Sequence, residues 1–358
     1  MDAISDILCI FEIKKKGFLS LWRTKVGRTL KESDQLICKE LKIPINIGKS
    51  QALLWRLPLN HQKFPIVDKD LKKRKAGFNG EATVYYHLSF LNDKKYKIFY
   101  DVRLPLFSNY FQIDFLILTP VYILVIEVKN ISGIVTIDPF IRQLTRTYKG
   151  ITEGFSDPIS QVQRQKLLLQ KWFSVQKLKH PPIKHLVVFS NPSTILKYTE
   201  PPSVDSPYRN IIHAQNIIDN IKGLNKIYVK EDMTDKEMTK MKKTILKNHE
   251  ESELDFMEKY SLTQIDIVTG VRCENCYHIP MIRVSGAWSC VKCGSSSKYA
   301  HLEAIRDYFL LLSDHITNRE LRRFLHLNSR NTTYKILKTL QLETKGRTKS
   351  VTYSKPTI

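Results

Sequence analysis

The sequence predicts an α/β fold in which a mixed sheet is flanked by helices, followed by a small cysteine-bearing segment and a helical C-terminal tail. Between residues 82 and 189, short runs rich in β-branched residues alternate with segments of helical periodicity, as in a layered α/β domain. Two Cys-x-x-Cys pairs come later in the chain. Of the 358 residues, 42 % are hydrophobic, so the chain can bury at least one full core.

The N-terminal part has the least regular pattern. Residues 1–70 are predicted as a basic region of unknown role, with residues 49–65 irregular. A glycine-containing segment from Gly77 to Glu81 then leads into a predicted helix over residues 82–91, because apolar residues recur there at helical spacing.

Strand-like runs follow this helix. The predicted strands cover residues 96–104, 111–118, 121–128 and 134–137. The third run is almost continuously apolar, which predicts a central strand buried on both faces. Asp157 and Pro158 form a helix-start signal, so a helix is predicted over residues 159–173 and a further buried strand over residues 183–189.

Composition changes mark the predicted domain boundaries. A Lys/Glu-rich stretch without a strong apolar stripe separates the α/β region from the cysteines, and we interpret it as a linker. The predicted domains are an N-terminal region (1–70), the α/β domain (71–230), a charged helical linker (231–267), a cysteine ribbon (268–300) and a helix-turn-helix-like tail (301–358).

The chain is strongly basic. It has 57 Lys and Arg against 35 Asp and Glu, a formal net charge of +22, which favours a polyanionic partner such as nucleic acid. A lysine-rich composition alone is the alternative explanation. No apolar run approaches the roughly 18–20 residues of a membrane span. The first residues place charge after a short apolar run, the reverse of a secretory signal, so we expect a cytoplasmic protein with no membrane partner.

Three short pieces carry the sharpest chemistry: Gly80-Glu81, Gln112-Ile113-Asp114 and Glu127-Val128-Lys129. Glu127 and Lys129 are two apart at a strand end, so their side chains project from one face. If the two strands pair, Asp114 and Glu127 converge, and two carboxylates are suitable ligands for Mg²⁺. Lys129 beside them would position an attacking water, and Glu81 would be a further acid near the metal.

Each of these residues has an ordinary structural explanation when taken singly. Glu-x-Lys at a strand end is common on solvated edges, and Asp114 alone could be a buried ion-pair partner. Their order and spacing together favour a shared site.

At these motifs the chain resembles a known family, the nuclease-related domain, NERD, which is similar to the PD-(D/E)xK nuclease superfamily. The resemblance covers about a third of the chain. The motifs that carry it are Gly77-Phe78-Asn79-Gly80-Glu81, Phe111-Gln112-Ile113-Asp114, Ile126-Glu127-Val128-Lys129-Asn130 with Gly133, and Asp157-Pro158-Ile159-Ser160-Gln161.

The resemblance implies a restriction-endonuclease-like core and cleavage of DNA that depends on Mg²⁺ or Mn²⁺. It makes Asp114 and Glu127 the metal ligands and Lys129 the catalytic lysine. It further implies that Glu81 is the acid of the first helix and that Gln161, on the following helix, orients the site or touches the substrate.

The cysteines predict a second metal site. Cys273 and Cys276 form one Cys-x-x-Cys pair, Cys290 and Cys293 the other, with thirteen residues between. Two such pairs in an intracellular chain are typical of a structural Zn²⁺ ion held by four thiolates. A pair of disulfides is the alternative, and His278 is a weaker candidate ligand.

The tail predicts a nucleic-acid contact. Thr317 and Glu320 have the spacing of a capping box, and a second helix is predicted over residues 331–340 after a short turn. That helix would carry Thr333 outward together with four proposed DNA contacts, Arg330, Asn331, Lys335 and Lys338. Tyr334 would lie on its apolar side with Ile336, Leu337 and Leu340. Helix pairs of this kind are also common without any DNA role.

These features together predict a metal-dependent (endo)deoxyribonuclease acting in DNA processing or defence. The alternative is a non-catalytic DNA-binding or regulatory protein that keeps a nuclease fold. A weaker alternative is an RNA-processing nuclease, because a phosphodiester site does not by itself select the sugar.

Overall fold

The computed structural model describes residues 36–91, 93–346 and 351–355. Half of the predicted N-terminal region, residues 1–35, therefore lies outside the described residues.

Nine α-helices occur in the described residues. In chain order they are α1 (Ile45–Arg56), α2 (Phe64–Leu88), α3 (Pro158–Val175), α4 (Ile217–Ile227), α5 (Asp235–Asn248), α6 (Phe256–Lys259), α7 (His301–Leu311), α8 (Asn318–Phe324) and α9 (Arg330–Thr339).

Sixteen strands occur in the same residues. In chain order they are β1 (Ile37–Lys39), β2 (Lys97–Leu106), β3 (Asn109–Leu118), β4 (Ile123–Lys129), β5 (Ile134–Asp138), β6 (Gln143–Tyr148), β7 (Ile151–Ser156), β8 (Ile183–Phe189), β9 (Ile195–Tyr198), β10 (Ile211–His213), β11 (Ile282–Val284), β12 (Ala287–Ser289), β13 (Ser296–Ser297), β14 (His315–Thr317), β15 (Glu343–Lys345) and β16 (Thr352–Ser354).

The described chain divides into two compact units. The nuclease-like unit contains residues 36–43 and 73–252, and the terminal unit contains residues 44–72 and the described residues from 253 onwards.

A six-stranded mixed sheet forms the centre of the nuclease-like unit, in the order β1-β2-β3-β4-β8-β10. Strands β2, β3 and β4 are antiparallel neighbours, whereas β4, β8 and β10 run parallel. One face packs against α3 and α5, and the other packs against α2 and α4. The prediction of a mixed sheet flanked by helices is confirmed.

Strand β4 is the central strand that the sequence predicts. All its residues from Ile123 to Glu127 are buried, and it pairs with β3 on one side and β8 on the other. Its β-branched residues suit a strand covered by helices on both faces.

Helix α2 differs from the prediction. It has 25 residues and begins at Phe64, so the segment from Gly77 to Glu81 lies inside the helix and is not its entry. A Cβ on Gly80 would lie 2.7 Å from both Asn130 Cβ and Ser190 Oγ. Glycine therefore permits the helix to approach the end of β4 closely, where Asn130 Nδ2 donates to Ala76 O at 2.7 Å.

A second sheet of four strands, in the order β7-β6-β5-β9, contains a hairpin that the sequence analysis missed. Strands β6 and β7 are joined by Lys149 and Gly150, both with positive φ (50° and 78°). Two residues of this kind form the tight turn that matches the twist of a hairpin. The Lys149-Gly150 pair is the signal that could have identified it.

Two helices pack in places where the sequence pattern did not predict it. Residues 235–248 of the predicted helical linker form α5, whose Met238, Met241 and Ile245 join the core of the nuclease-like unit. The prediction of irregular structure over residues 49–65 is wrong in its first half, because α1 runs to Arg56. Arg56 is fully buried in an ion pair with Asp307 (2.8 Å), so a charged residue faces the core of the terminal unit.

The terminal unit joins the cysteine ribbon and the tail in one core. Cys273 and Trp288 of the ribbon, Phe309 of α7, Phe324 of α8 and Ile336 of α9 belong to the same hydrophobic cluster. The sequence analysis drew the ribbon and the tail as separate pieces, but their apolar faces cover one another. Within the described residues, no helix combines the length and the apolar character needed to cross a membrane.

Candidate active site

The site begins where β3 and β4 separate. Their backbone pairing continues only as far as Phe115 and Ile126, and Asp114 is the next residue of β3. Beyond that point the Asp114 carboxylate accepts a hydrogen bond from the backbone N–H of Val128 at 2.8 Å. A side chain thus takes the place of the next strand-to-strand bond. The charge of Glu127 helps to raise the pKa of Asp114, so the two carboxylates lie near each other at the point where the strands part.

Glu127 is the most enclosed of the predicted acids, with 3 % of its surface exposed. Its Oε1 accepts hydrogen bonds from Lys129 Nζ and Gln161 Nε2, both at 2.7 Å. Its Oε2 accepts one from Gln165 Nε2, also at 2.7 Å. A carboxylate offers about four acceptor positions, so Oε2 keeps one for a further ligand.

Lys129 is fixed from two directions. Its Nζ donates to Glu127 Oε1 at 2.7 Å and to Gln161 Oε1 at 2.9 Å. An ammonium has three protons, so one donor position remains for a water or a phosphate oxygen. The β-strand places Glu127 and Lys129 on one face, as the spacing predicts.

Helix α3 supplies the two glutamines. Its N-cap is Asp157, which accepts from the backbone N–H groups of Ile159 and Ser160, and Pro158 is the first helical residue, as predicted. Gln161 and Gln165 are four residues apart, so one helix face presents both amides to Glu127.

Glu81 enters from α2. The Tyr100 hydroxyl of β2 donates a hydrogen bond to Glu81 Oε2. Burial, together with the charge of Glu81, raises the pKa of Tyr100, which keeps the phenol protonated and able to donate. Next to Tyr100, Asp101 has a positive φ (48°). Asp101 and Asp114 are both left out of the β2–β3 pairing, which resumes in the same register, so the ladder is interrupted beside the site.

The site holds more negative charge than it neutralises. Burial raises the pKa of Asp114 well above its ordinary value, and the charges of Glu127 and Glu81 raise it further. The N–H of Val128 and the charge of Lys129 act in the opposite direction. Burial is also the main cause that raises the pKa of Glu81. One ammonium does not offset three clustered carboxylates, so the arrangement favours a bound cation.

The carboxylates are not a closed cage. Among the described residues, the four cysteines are the only group of three or more His, Cys, Asp or Glu whose ligand atoms all lie within 4.8 Å of one another. Two carboxylates with open positions beside them suit Mg²⁺, which keeps several waters and is usually held by one or two acidic side chains.

Comparison with known proteins agrees with this geometry. Residues 76–190 match the family model described as the nuclease-related domain, NERD. Over these residues the chain is similar to the nuclease-related domain. No curated protein and no solved structure matches the chain.

The NERD match contains every residue predicted for the active site. Lys129 and Gln161 are bonded to Glu127, and Asp114 binds the peptide between Glu127 and Lys129. The charge of Glu81 helps to raise the pKa of Asp114, and the Tyr100 hydroxyl donates a hydrogen bond to Glu81. The cysteines and the tail lie outside the match.

Sequence reasoning missed Tyr100 and Gln165. Gln165 carried a usable signal, because it lies four residues after Gln161 on the same predicted helix face. Tyr100 carried none, since only the paired strands bring it to Glu81.

The predicted zinc ligands do come together. Cys273 Sγ lies 3.7 Å from Cys293 Sγ, and Cys276 Sγ lies 3.5 Å from Cys290 Sγ. Four sulfurs bound about 2.3 Å from one zinc ion would be about 3.8 Å apart, whereas a disulfide has sulfurs about 2.0 Å apart. The cluster can therefore bind zinc. His278 is outside it, and Trp288 packs beneath it with its Nε1 donating to His301 Nδ1 at 3.0 Å.

The predicted tail contacts all lie on α9, and Arg330, Asn331, Lys335 and Lys338 are exposed there. Two side chains of α9 point the other way from the prediction, which placed Thr333 on the outer face and Tyr334 on the apolar face. Thr333 is fully buried, and Tyr334 is 45 % exposed.

Proposed function

We propose that the chain is a Mg²⁺-dependent nuclease that hydrolyses phosphodiester bonds of DNA, in DNA processing or in defence against foreign DNA. The observation that carries the proposal is the hydrogen-bonded set of Lys129, Glu127 and Gln161 beside the half-buried Asp114.

Asp114 and Glu127 are the residues that would hold the divalent cation. Both keep acceptor positions after their internal hydrogen bonds are counted, and their oxygens suit a hard cation. A cation bound there would neutralise charge on the phosphate and lower the pKa of a bound water.

Lys129 is the residue to which we assign the orientation of the attacking water. Its Nζ is held by two acceptors, so its remaining proton points in a fixed direction. A hydrogen bond from Nζ would orient an attacking water or stabilise charge developing on a phosphate oxygen. Gln161 contacts both Lys129 and Glu127, so it positions the two relative to each other.

DNA is the proposed substrate because the chain has a net charge of +22 and its partner should be a polyanion. Glu81 is held by a hydrogen bond from Tyr100. Its carboxylate would add negative charge near the site and so strengthen the binding of a cation.

The test is nicking of supercoiled plasmid with Mg²⁺, with Mn²⁺ and without divalent metal. We expect cutting only with metal, and a loss of at least about 100-fold in Asp114→Asn, Glu127→Gln and Lys129→Ala. Lys226→Ala removes an exposed lysine of α4 and should cut like the wild type.

Two results would contradict the proposal. Cutting that survives Asp114→Asn and Lys129→Ala would exclude the assigned site. Binding of DNA without any cutting would favour a non-catalytic protein, and preferential cutting of a matched RNA would favour RNA processing.

A further inference from the structure

The C-terminal elements form a more complete module than the predicted helix pair. After α7, the chain runs through β14, α8, α9, β15 and β16, and the three strands form an antiparallel sheet in the order β14-β16-β15. The elements follow one another as in a winged helix-turn-helix. A fold does not establish a function, so what this module binds depends on the residues that it exposes.

Helix α9 is held firmly on one side. Its N-cap is Ser329, whose Oγ accepts from Thr332 N at 3.2 Å. Thr333, Ile336 and Leu337 form its buried face. Asn318 of α8 also donates to the backbone oxygen of Arg330 at 3.2 Å, which ties the starts of the two helices together.

The other side of α9 is exposed, and the charged side chains that it carries are all basic. Arg330, Asn331, Tyr334, Lys335 and Lys338 are all exposed. Lys338 Nζ lies 5.1 Å from the centre of the Tyr334 ring, which favours an ordered position for that lysine.

The neighbouring helix adds to this charge. Residues 317–341 contain six Lys and Arg and a single acidic residue, Glu320. Glu320 is used in the capping box, where its carboxylate accepts from Thr317 N and Thr317 Oγ1, both at 2.7 Å. A surface that serves only solubility normally mixes both signs of charge, whereas this surface has one sign.

We propose that the exposed face of α9 binds duplex DNA in the major groove, as a targeting site separate from the nuclease-related domain. The major groove is about 12 Å wide and admits an α-helix. Lys335 and Lys338 would contact phosphates, and Arg330 and Asn331, at the N-terminal end, would contact base edges. Arg pairs with guanine and Asn with adenine through two hydrogen bonds each, so this site would select sequence.

The chemistry points to DNA and not to an RNA duplex. The major groove of A-form RNA is deep and too narrow for side chains to read. Every residue of the α9 face lies in the terminal unit, so the proposal does not depend on catalysis by the nuclease-like unit.

The test uses the full-length chain in an Asp114→Asn background, without added divalent cation, so that cutting cannot confuse binding. Fluorescence anisotropy measures binding to a labelled DNA duplex and to an RNA duplex of the same sequence, over a series of salt concentrations. Selection from a random duplex pool first identifies the preferred DNA sequence.

We expect Lys335→Ala/Lys338→Ala to weaken DNA binding at least about 10-fold and to reduce the slope of log affinity against log salt by about two, since each lost phosphate contact removes about 0.9. Asn331→Ala should keep that slope and lose about 5- to 150-fold of the preference for the selected sequence. The control Lys69→Ala/Lys72→Ala, two exposed lysines of α2, should bind like the parent. Circular dichroism checks that each variant is folded.

Three results would overturn the proposal. If Lys335→Ala/Lys338→Ala and the control Lys69→Ala/Lys72→Ala weakened DNA binding equally, binding would depend on the total charge of the protein and not on α9. RNA duplex binding as tight as DNA binding would exclude the major groove. An unchanged affinity in Lys335→Glu/Lys338→Glu, which reverses the charge, would remove α9 from the interface.

Discussion

Glu127 is a buried carboxylate whose orientation depends on residues that do not touch the substrate in the proposed reaction. Gln161 and Gln165 each donate to one of its oxygens at 2.7 Å. Such partners orient a metal ligand, and their loss typically costs 10- to 100-fold in metal affinity or activity.

We therefore predict that Gln165→Ala raises the Mg²⁺ concentration for half-maximal cutting by about 10- to 100-fold, because Glu127 loses the donor on Oε2. A Mg²⁺ titration of plasmid nicking measures this. Gln163→Ala, an exposed glutamine on the same helix, is the matched control and should titrate like the wild type. Identical titrations of Gln165→Ala and wild type would show that this hydrogen bond does not position the ligand.

The ionisation of Asp114 affects the stability of the folded protein. Burial raises its pKa in the folded protein. A carboxyl with a raised folded pKa favours folding most at low pH, and this contribution is lost as the pH rises from about 4, the unfolded value, through the folded pKa. Without divalent metal, the ionised Asp114 therefore destabilises the protein at neutral pH.

The predicted consequence is that Asp114→Asn unfolds at higher urea concentration than the wild type near pH 8 without added metal, and that the difference disappears near pH 4. Added Mg²⁺ should stabilise the wild type but not the variant, because only the wild type binds it. Asp219→Asn, at an exposed position of α4, should show neither effect. A wild type that is the more stable protein near pH 8 in metal-free buffer would disprove the electrostatic account.

Some residues of the candidate site could be predicted from the sequence, and others could not. Asp114 was found because a charged residue is costly inside an apolar strand, and Glu127 and Lys129 were found because they share a face at a strand end by spacing alone. Tyr100 was not found, because its contact with Glu81 depends on the packing of α2 over the sheet. Asp101 was not found either, since the interruption of the β2–β3 pairing at Asp101 and Asp114 leaves no clear pattern in the sequence.

At the scale of elements, α2 shows two glycines with opposite roles. Gly80 lies where a Cβ would be 2.7 Å from Asn130 and Ser190, whereas Gly77 has no atom within 4 Å of its Cβ position. Both lie inside the helix, where glycine is normally unfavourable relative to alanine.

Gly77→Ala should therefore stabilise the protein by about 0.5–1 kcal/mol, and Gly80→Ala should destabilise it by about 1–3 kcal/mol because the helix must move away from β4. Urea unfolding measures both. Since that movement also shifts Glu81, we expect Gly80→Ala to cut plasmid more slowly than Gly77→Ala. Equal stability of the two variants would mean that the close approach of α2 is not required.

The cysteine ribbon is the second element with a direct test. We predict one zinc ion per chain by elemental analysis, and none in Cys276→Ser, because a closed structural site needs all four thiolates. The zinc-free variant should also expose Trp288, which packs in the same core, and its fluorescence should shift to longer wavelength. Cys38→Ser, outside the cluster, should retain its zinc. Full zinc content in Cys276→Ser would remove the assignment.

Element boundaries were predictable where apolar periodicity was uninterrupted. The predicted strand over 183–189 has the bounds of β8, and the capping box at Thr317 starts α8. The prediction failed where packing overrides local pattern. The glycines of α2 suggested a helix entry, and the charged surface of α5 hid three buried residues.

At the scale of the molecule, the charge of +22 is carried by two units with different chemistry. The nuclease-like unit places carboxylates around one half-buried lysine, Lys129, and the terminal unit exposes basic side chains on α9. The basic composition alone predicted a polyanionic partner, but only the fold separates a site that would need a cation from a surface that would bind phosphates.

The central claim is that Asp114 and Glu127 hold a divalent cation beside Lys129. The most direct measurement is a crystal of the full-length protein soaked in Mn²⁺, with anomalous difference maps that distinguish manganese from the zinc of the cysteine cluster. The account predicts a manganese peak between the two carboxylates and its absence in Asp114→Asn. A map with zinc at the cysteines and no manganese between Asp114 and Glu127 would contradict it.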